Sequence, residues 1–492
     1  MSEPNSRIWM IWACGLSFMY AIVVAALPAQ TSSTAPLARA TTAPPSVTFT
    51  TLHSFDFADG YEPTAGLVQA TNGKLYGTTS QGGTNEQGSL FSITTTGMLT
   101  LLHSFDITDG LMPYAGMTQG TNGMLYGTTY SGGASGGNGT IFALTPGGAL
   151  SSVYIFCLHA GCPDGSSPYG GLIQGTNGKL YGTTQSGGAN QEGTVFEVTP
   201  AGSLTTLHRF TGGDGAGPLA GLLQATDGNF YGTTQYGGTN GDGTAFSINS
   251  SGNLTLLYSF CSQSNCTDGE QPVASVMQTA DGRIYGTTYY GGGNAACAGG
   301  CGTIFTISPA GQLATLHSFD EADGAGPAGS LIQATDEKVY GVTSGGGTIG
   351  AGTVFSITPA GILSTLHSFC AQPCSDGANP FGGLVQDTDG SFYGTAAAGG
   401  AYGAGTAFSL SVGLGPFVAT NPVSGKPGAA VKILGANLIG ATSVTFNGTA
   451  AVFTVVSHSL IVTTVPTGAT TGTVQVVTPK GTLSSNVPFR VR

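Results

Sequence analysis

The sequence predicts an all-β fold: a seven-bladed β-propeller followed by a small immunoglobulin-like β-sandwich. A phrase typified by "KLYGTT" recurs seven times at intervals of 50 to 55 residues, a period that indicates a propeller rather than a short-coil solenoid. Each period contains four short runs rich in β-branched and aromatic residues, separated by Gly, Asn, Asp and Pro. After residue 412 the phrase is absent, and Val, Ile and Phe alternate with small polar residues over 413–492, as in a small sandwich.

The order of the runs predicts how the propeller closes. The first period reads "TLHSF", "AGLVQAT", "KLYGTT" and "GSLFSIT", so a TLHSF run precedes the first AGLVQAT run. The last repeat ends "GTAFSLSVGLGP" without such a run. We therefore expect the N-terminal strand to complete the last blade of a propeller spanning 47–412, because a closed ring leaves no free sheet edge.

The connections between strands are of two kinds. "TNG" or "TDG" and "TPAG" are short turns, whereas the "SQGGTNEQG" and "DxxDGxxP" types are longer loops. Because neighbouring strands alternate in direction, both long loops must lie on the same rim, opposite the short turns. A ligand-binding surface is expected on the rim of long loops.

The repeated phrase itself is predicted to be mainly architectural. Leu75 and Tyr76 are expected to fill the space between blades, Gly77 to let neighbouring sheets approach, and Thr78 and Thr79 to suit a strand.

Composition restricts the partners. Only 7% of the 492 residues are charged, and 12 Lys and Arg against 24 Asp and Glu give a formal net charge of −12. Binding to nucleic acid or to an anionic membrane surface depends on clustered positive charge. Neither is therefore an expected partner.

The N-terminus has the pattern of an export signal. Arg7 precedes an apolar run from Ile8 to Ala26, and small and polar residues follow, the order typical of a secretory signal. Residues 1–29 are predicted to be a signal peptide cleaved after Ala29 or Ala26, with an uncleaved membrane anchor as the alternative. Residues 30–46 read as a linker rich in Ser, Thr, Pro and Ala. In both cases we expect the rest of the chain outside the cytoplasm.

Eight cysteines follow the signal segment and fall as close neighbours, which in an exported chain favours disulfides over a metal site. The candidates are Cys157, Cys162, Cys261, Cys266, Cys297, Cys301, Cys370 and Cys374. The fifth repeat holds four of them, and three pairings remain open there.

An Asp-Gly pair occurs in the long loop of every repeat, which makes its aspartates the candidate residues for binding at the rim. They are Asp59, Asp109, Asp164, Asp214, Asp268, Asp323 and Asp376. A ring of carboxylates could bind Ca²⁺ or sugar hydroxyls. The alternative is that each aspartate holds its own turn, and sevenfold recurrence favours that alternative, so no metal or other cofactor is predicted.

Two further positions recur in all seven repeats. The outer strand carries His53, His103, Tyr154, His208, Tyr258, His317 or His367, an exchange that indicates packing rather than catalysis. The inner strand carries Gln69, Gln119, Gln174, Gln224, Gln278, Gln333 or Gln386, expected to hydrogen-bond to neighbouring blades or to water.

The repeat pattern LHSF, DG, P, GLxQ, GxLYGTT, GG, GTxFxIT resembles the choice-of-anchor tandem repeat family known as GloVer, over about 50–412. The resemblance implies a surface or secreted repeat array and no established reaction.

The C-terminal part of the sequence resembles a second family. Its phrases "NPVSGKPGAAVKILGANL", "SVTFNGTAA" and "VPTGATTGTVQV" resemble IPT/TIG immunoglobulin-like domains over about 415–492, which implies a spacer or adhesive module.

The function predicted from the sequence is that of an exported, non-catalytic, monomeric protein that binds glycan or an envelope protein through its long loops. One alternative is a propeller enzyme of lyase or glycosidase type, which should group unique ionisable residues on adjacent blades; the sequence reveals no such group. The other alternative is a purely structural surface protein.

Overall fold

The computed structural model describes residues 47–371 and 373–492, so the predicted signal segment and linker lie outside the described residues. This part of the chain is all-β apart from two 3-10 helices, at Ala134–Gly136 and Ser264–Cys266. None of its helices has the length and apolar character needed to cross a membrane.

The strands of the repeats are short and regular. The first nine are β1 Thr48–Ser54, β2 Val68–Gln69, β3 Leu75–Thr79, β4 Ser89–Ile93, β5 Leu99–Ser104, β6 Thr118–Gln119, β7 Leu125–Thr129, β8 Thr140–Leu144 and β9 Leu150–Ile155. The next eight are β10 Ile173–Gln174, β11 Leu180–Thr184, β12 Thr194–Val198, β13 Leu204–Arg209, β14 Leu223–Gln224, β15 Phe230–Thr234, β16 Thr244–Ile248 and β17 Leu254–Ser259. The remaining eleven are β18 Met277–Gln278, β19 Ile284–Thr288, β20 Thr303–Ile307, β21 Leu313–Ser318, β22 Ile332–Gln333, β23 Val339–Thr343, β24 Thr353–Ile357, β25 Leu363–Ser368, β26 Val385–Gln386, β27 Phe392–Ala396 and β28 Thr406–Ser411.

These strands form seven four-stranded antiparallel sheets in a propeller-like β fold. Sheets 1 to 6 take four consecutive strands each, β2 to β5 in sheet 1 and so on to β22 to β25 in sheet 6. Sheet 7 has the order β26-β27-β28-β1, so the N-terminal strand supplies its outer strand, with Thr48 opposite Ser411. The first and last parts of the ring are thereby hydrogen-bonded into one sheet.

The hydrophobic core lies between successive sheets. Leu75 and Tyr76 are fully buried and point to opposite neighbours. Leu75 packs with Phe55 and Ala407 of sheet 7, and Tyr76 packs with residues of sheet 2 such as Leu125. The prediction that these two positions fill the space between sheets is confirmed.

The expectation for Gly77 is wrong in its mechanism. A Cβ at Gly77 would lie 2.5 Å from Phe91 Cζ and 2.6 Å from Leu67 Cδ2, both side chains of sheet 1 itself. The glycine therefore makes room for an aromatic ring of its own sheet rather than for the neighbouring one. The close approach between sheets occurs instead at Gly66, where a Cβ would lie 2.8 Å from the carbonyl oxygen of Gly383.

The chain after the repeats forms a separate pair of packed sheets. Its strands are β29 Val418–Asn421, β30 Ser424–Gly425, β31 Ala430–Gly435, β32 Ser443–Phe446, β33 Thr449–Ala450, β34 Phe453–Ser457, β35 Leu460–Thr464, β36 Val474–Thr478, β37 Gly481–Ser484 and β38 Arg490–Val491. The sheets β29-β31-β35-β34 and β33-β32-β36-β37 share one core that includes Ile433, Phe446 and Val476, and β30 pairs with β38. We refer to 418–491 as the C-terminal sheets.

The C-terminal sheets contact the ring at the short turns. We call the side that carries the turns after β2, β6, β10, β14, β18, β22 and β26 the short-turn rim, and the side with the Asp-Gly loops the long-loop rim. Lys432 Nζ donates to the Thr121 carbonyl at 2.9 Å, and Asn421 Nδ2 donates to the Gln119 carbonyl at 3.3 Å. The short-turn rim is therefore partly covered by the chain's own C-terminal part.

Candidate functional site

The seven aspartates of the Asp-Gly pairs are all engaged in the same interaction. Each carboxylate is paired with the His or Tyr side chain on the outer strand of its repeat, at 2.6 to 2.9 Å. Six of them also accept the backbone N–H of the residue that directly follows the phenylalanine after the outer strand, as Asp214 does from Thr211 at 2.8 Å. The seventh, Asp268, accepts the backbone N–H groups of Ser262 and Gln263 instead. The aspartates thus tie the start of each long loop to the outermost strand.

The electrostatics agree with this arrangement. Burial opposes ionisation of Asp214, but hydrogen bonds from Thr211 and His208 outweigh it and lower the pKa of the carboxyl group. Where tyrosine replaces histidine, burial followed by the hydrogen bond to Asp164 raises the pKa of Tyr154 to about 12. Each carboxylate is thus engaged within the chain, although Asp164 Oδ1 is buried without a hydrogen-bond partner, and a role for these aspartates in ligand binding stays a prediction.

The glutamines of the inner strands link neighbouring sheets, as expected. The side-chain oxygen of each accepts the backbone N–H of the residue two positions after the glutamine in the preceding sheet, at 2.8 to 3.3 Å. The series closes between sheets 7 and 1, where Thr388 N–H donates to Gln69 Oε1 and Gln69 Nε2 donates to Thr388 Oγ1. The glutamines are thus part of the ring's framework.

A cavity of 680 Å³ lies at the centre of the ring. Its wall is made by the segments that follow the repeated proline and lead into the inner strands, and all seven sheets contribute: 64–67, 114–117, 169–171, 219–221, 273–275, 328–330 and 381–384. Because these segments precede the inner strands, they lie towards the long-loop rim. The volume is within the range of small-molecule sites.

Two groups of aromatic side chains border the cavity. On sheets 2 and 3, Tyr114 and Tyr169 stack with ring centroids 4.9 Å apart, and Tyr130 meets both edge-on. In the loop after β19 of sheet 5, Tyr289 and Tyr290 contact each other edge-on, with ring centroids 4.7 Å apart.

The aromatic groups break the sevenfold regularity. The position directly after the proline is Thr64, Tyr114, Tyr169, Leu219, Val273, Ala328 or Phe381 along the chain. Sequence reasoning missed this site, although the variability of one position inside an otherwise constant segment was a signal that could have found it.

The lining of the cavity, as far as the structure describes it, contains no charged side chain. Burial, and then the nearby charge of Glu62, raises the pKa of Tyr114, and burial together with its tyrosine neighbours raises that of Tyr169. Their hydroxyl groups therefore remain protonated and can donate hydrogen bonds at neutral pH. The site offers aromatic surface, hydroxyl and amide groups, and backbone.

A pair of carboxylates lies beside this site. Asp242 of sheet 4 and Glu270, which leads into sheet 5, have ligand atoms within 4.8 Å of one another and of Cys261 and Cys266. Burial, and then the charge of Asp242, raises the pKa of Glu270. Two ionisable residues of adjacent repeats therefore form a group that the sequence analysis did not find. Loop geometry brings these two together, and the linear sequence does not reveal that.

Among the described residues, this group of Asp242, Glu270 and the two cysteines is the one whose ligand atoms lie close enough together to suggest a cation site. The two cysteines are joined in a disulfide, so their sulfurs are not free thiolate ligands. Two partly exposed carboxylates then remain, which is fewer oxygen ligands than Ca²⁺ usually takes. The arrangement is only weakly compatible with a bound ion.

The four disulfides are Cys157–Cys162, Cys261–Cys266, Cys297–Cys301 and Cys370–Cys374. The prediction of four close pairs is confirmed, and in the fifth repeat the pairing is between nearest neighbours in sequence. Disulfides of this kind fit a protein of an oxidising, extracytoplasmic compartment.

Four-stranded sheets repeated around a central cavity define a repeat-built β protein with a propeller-like fold. The family model of the Gloeobacter/Verrucomicrobia repeat matches residues 40–137, 68–299 and 262–462. The chain belongs to this repeat family. No curated protein matches it in sequence.

The solved structures that match this chain come from proteins of different kinds. A fungal alcohol oxidase of the AA5 family, in complex with copper, is 14% identical with a TM-score of 0.52, and the match covers 91% of this chain and 100% of that one. The periplasmic gluconolactonase of Pseudomonas aeruginosa is 18% identical with a TM-score of 0.44, covering 62% of this chain and 84% of the other. PorZ, a surface component of the type-IX secretion system of Porphyromonas gingivalis, is 15% identical with a TM-score of 0.43, covering 85% and 58%. At 14% identity the likeness to the alcohol oxidase concerns the fold alone.

Proposed function

We propose that this chain is an exported, non-catalytic glycan-binding protein of the bacterial envelope or exterior. In this proposal the seven sheets are the blades of a β-propeller, and the C-terminal sheets are an immunoglobulin-like IPT/TIG spacer. The protein acts as a monomer and binds its ligand in the central cavity. The observation that carries the proposal is the uncharged cavity of 680 Å³ with tyrosines at its border.

The chemistry of the cavity suits a neutral sugar. A pyranose ring has a face of C–H groups and a periphery of hydroxyls. Tyrosine combines an apolar ring with a polar hydroxyl group, and the amides of Gln235 and Gln271 add donors and acceptors to the lining. Sugar faces can pack on the rings while their hydroxyls bond to these polar groups and to the exposed backbone.

Charge disfavours acidic ligands. The net charge of the chain is −12, and the cavity lining supplies no cation. Glu270 adjoins the lining residue Gln271, and the charge of Glu62 acts on the lining residue Tyr114. An anionic polymer would be repelled over distances of about 10 Å at moderate ionic strength. Neutral glycans are therefore expected to bind, and polymers of uronic acids are not.

The proposal can be tested by calorimetric titration with a panel of neutral and uronate oligosaccharides, with and without chelator. The double variant Tyr114→Ala/Tyr290→Ala should lose binding. Tyr402→Ala is a matched control, because Tyr402 is 63% exposed and does not line the cavity. Binding that survives the double variant would reject the site, and absence of binding to every glycan would favour a protein ligand or a purely structural role.

A second candidate function, that of a lyase or glycosidase, rests on Asp242 and Glu270. Glycoside hydrolysis uses two carboxyl groups, one with a raised pKa, and the pKa of Glu270 is raised by burial and by Asp242. Reducing ends should then accumulate from a polysaccharide incubated with the wild-type chain and not with Glu270→Gln. Equal amounts from both chains, or none, would exclude this candidate.

A further inference from the structure

Asp387 interrupts the regularity of the short-turn rim. The residue after the inner-strand glutamine is Ala70, Gly120, Gly175, Ala225, Thr279 or Ala334 in sheets 1 to 6, and Asp387 in sheet 7. The position is interior: Ala70, Ala225 and Ala334 are at most 6% exposed, and Asp387 is 3% exposed. An ionisable group therefore occupies a position that elsewhere holds a small and uncharged residue.

The carboxyl group of Asp387 is only half satisfied. Its Oδ1 accepts the backbone N–H of Asp389 at 3.0 Å, whereas Oδ2 is buried without any hydrogen-bond partner. Thr279, the other polar residue at this position, has its hydroxyl hydrogen-bonded to the Arg283 carbonyl and to Asp281. A buried carboxylate oxygen without a donor carries a large desolvation cost, which a proton on that oxygen removes.

The charged surroundings of Asp387 act in the same direction. On its own hairpin it faces Asp389, whose Oδ2 accepts the Tyr393 hydroxyl proton at 2.8 Å and whose Oδ1 accepts the Ser391 N–H. The elements packed against this turn from outside contribute the neutral amide of Gln69 and the backbone of 414–417. Burial, and then the charge of Asp389, raises the pKa of Asp387 to about 7.

Asp387 also lies where three parts of the molecule meet. The next residue, Thr388, makes both hydrogen bonds to Gln69 that join sheet 7 to sheet 1. Its carbonyl accepts the backbone N–H of Phe417, at the start of the C-terminal sheets, at 3.1 Å. Water can reach Asp387 only if this junction loosens.

We propose that Asp387 is a proton-controlled contact, which in its protonated form keeps the turn 387–390 closed against sheet 1 and the C-terminal sheets. Ionisation favours opening of the turn, because a charged carboxylate gains hydration only in the open state. The direction follows from linkage: a carboxyl group that is harder to ionise in the closed state stabilises that state in acid and loses this effect as pH rises. The junction is therefore tighter in mildly acidic than in alkaline surroundings.

The test is hydrogen exchange of the full chain between pH 5.5 and pH 8, with rates normalised to the intrinsic exchange rate. If the pKa is about 7 in the closed state and about 3.9 in the open state, opening of 386–390 and 414–417 should rise about thirtyfold over this range. In Asp387→Asn and in Asp387→Ala, which restores the residue of sheets 1, 4 and 6, the rise should disappear. The difference between wild type and variant is the quantity to read, because it removes every pH-dependent effect that the two chains share.

Asp336→Asn is the matched control. Asp336 accepts the Tyr340 hydroxyl proton in sheet 6 as Asp389 does in sheet 7, and its repeat has Ala334 in place of Asp387. This variant should keep the wild-type pH dependence of the junction. Equal pH dependence in wild type and Asp387→Asn would overturn the proposal. The proposal would also be overturned if Ca²⁺ restored protection from hydrogen exchange at pH 8 in the wild type but not in Asp387→Asn. That result would make Asp387 a cation ligand.

Discussion

The two rims of the ring arise from the same seven repeats and differ in what their inner-strand segments present. At the short-turn end every inner strand carries a glutamine, and all seven make the same bond to the neighbouring sheet. At the long-loop end the residue after the proline ranges from Ala328 to Tyr114 and Phe381 and borders an open cavity. A side chain that must bond to the same position of the neighbouring repeat is constant, because that partner is the same in every sheet. A side chain that borders open space can vary.

The largest effect is expected from the constant interior. Phe196 is fully buried, with its ring over Gly182 and in contact with Phe156. Phe196→Ala should lower the free energy of unfolding by about 3–5 kcal/mol, because it removes the ring and leaves a cavity. Urea denaturation measures this, with Met98→Ala as the control since Met98 is 68% exposed. A loss below about 1 kcal/mol would show that the sheets do not depend on this packing.

A smaller loss of unfolding free energy is expected when one of the seven glutamines that join neighbouring sheets is replaced. Gln69→Ala removes the two hydrogen bonds between the Gln69 side chain and Thr388 of sheet 7, and about 1–2 kcal/mol of stability should be lost. Denaturation against the exposed control Gln312→Ala gives the value. Glycan affinity should stay at the wild-type level, and a change in affinity would break the separation between the two rims.

The pairs between each aspartate and the His or Tyr of the outer strand should contribute less to the free energy of unfolding, and their contribution should depend on pH. The pKa of Asp214 is lowered because hydrogen bonds from Thr211 and His208 outweigh its burial. Ionised Asp214 therefore stabilises the folded chain at pH values above the ordinary carboxyl pKa, and this stabilisation is lost as pH falls through the lowered pKa. Asp214→Asn should cost about 1 kcal/mol at pH 7, discounted for partial exposure. The loss of stability between pH 5 and pH 3 should be smaller in the variant than in the wild type. If the stability of wild type and of Asp214→Asn changed equally with pH, ionisation of Asp214 would not contribute to stability.

The smallest effect on stability is expected at the cavity border, where the effect on binding is expected to be clear. Tyr290 is 37% exposed, so Tyr290→Ala should change the free energy of unfolding by no more than about 0.5 kcal/mol. Loss of one stacking ring should weaken glycan affinity about tenfold, or ~1.4 kcal/mol. Calorimetry on the folded variant tests both values, and unchanged affinity would place the ligand elsewhere.

Much of the framework could be predicted from the sequence because it is periodic. Four strand-like runs per period, and a TLHSF run missing from the last repeat, predict the sheet order and the pairing of β1 with β28. The close spacing of the cysteines likewise predicts local disulfides, while the pairing within the fifth repeat is given by the structure alone. These features depend on neighbours in sequence or on the repeat itself.

The features that sequence reasoning missed depend on contacts across loops. His208 and Asp214 each recur in every repeat as His or Tyr and as Asp, but their separation changes from six to ten residues, so a fixed spacing does not reveal the pair. Gly77 was expected to admit a neighbouring sheet and instead admits Phe91, because the register of β3 and β4 places the two residues opposite each other. Tyr114 and Tyr169 come from consecutive repeats, and their rings stack because sheets 2 and 3 pack side by side.

The most direct test of the proposed function is a crystal structure of the chain with a bound neutral oligosaccharide identified by calorimetry. We expect the sugar in the central cavity, with a ring face packed on Tyr114 or Tyr290 and hydroxyls bonded to the lining. A sugar bound at the outer-strand aspartates such as Asp109, or on the C-terminal sheets, would contradict the assignment of the binding site.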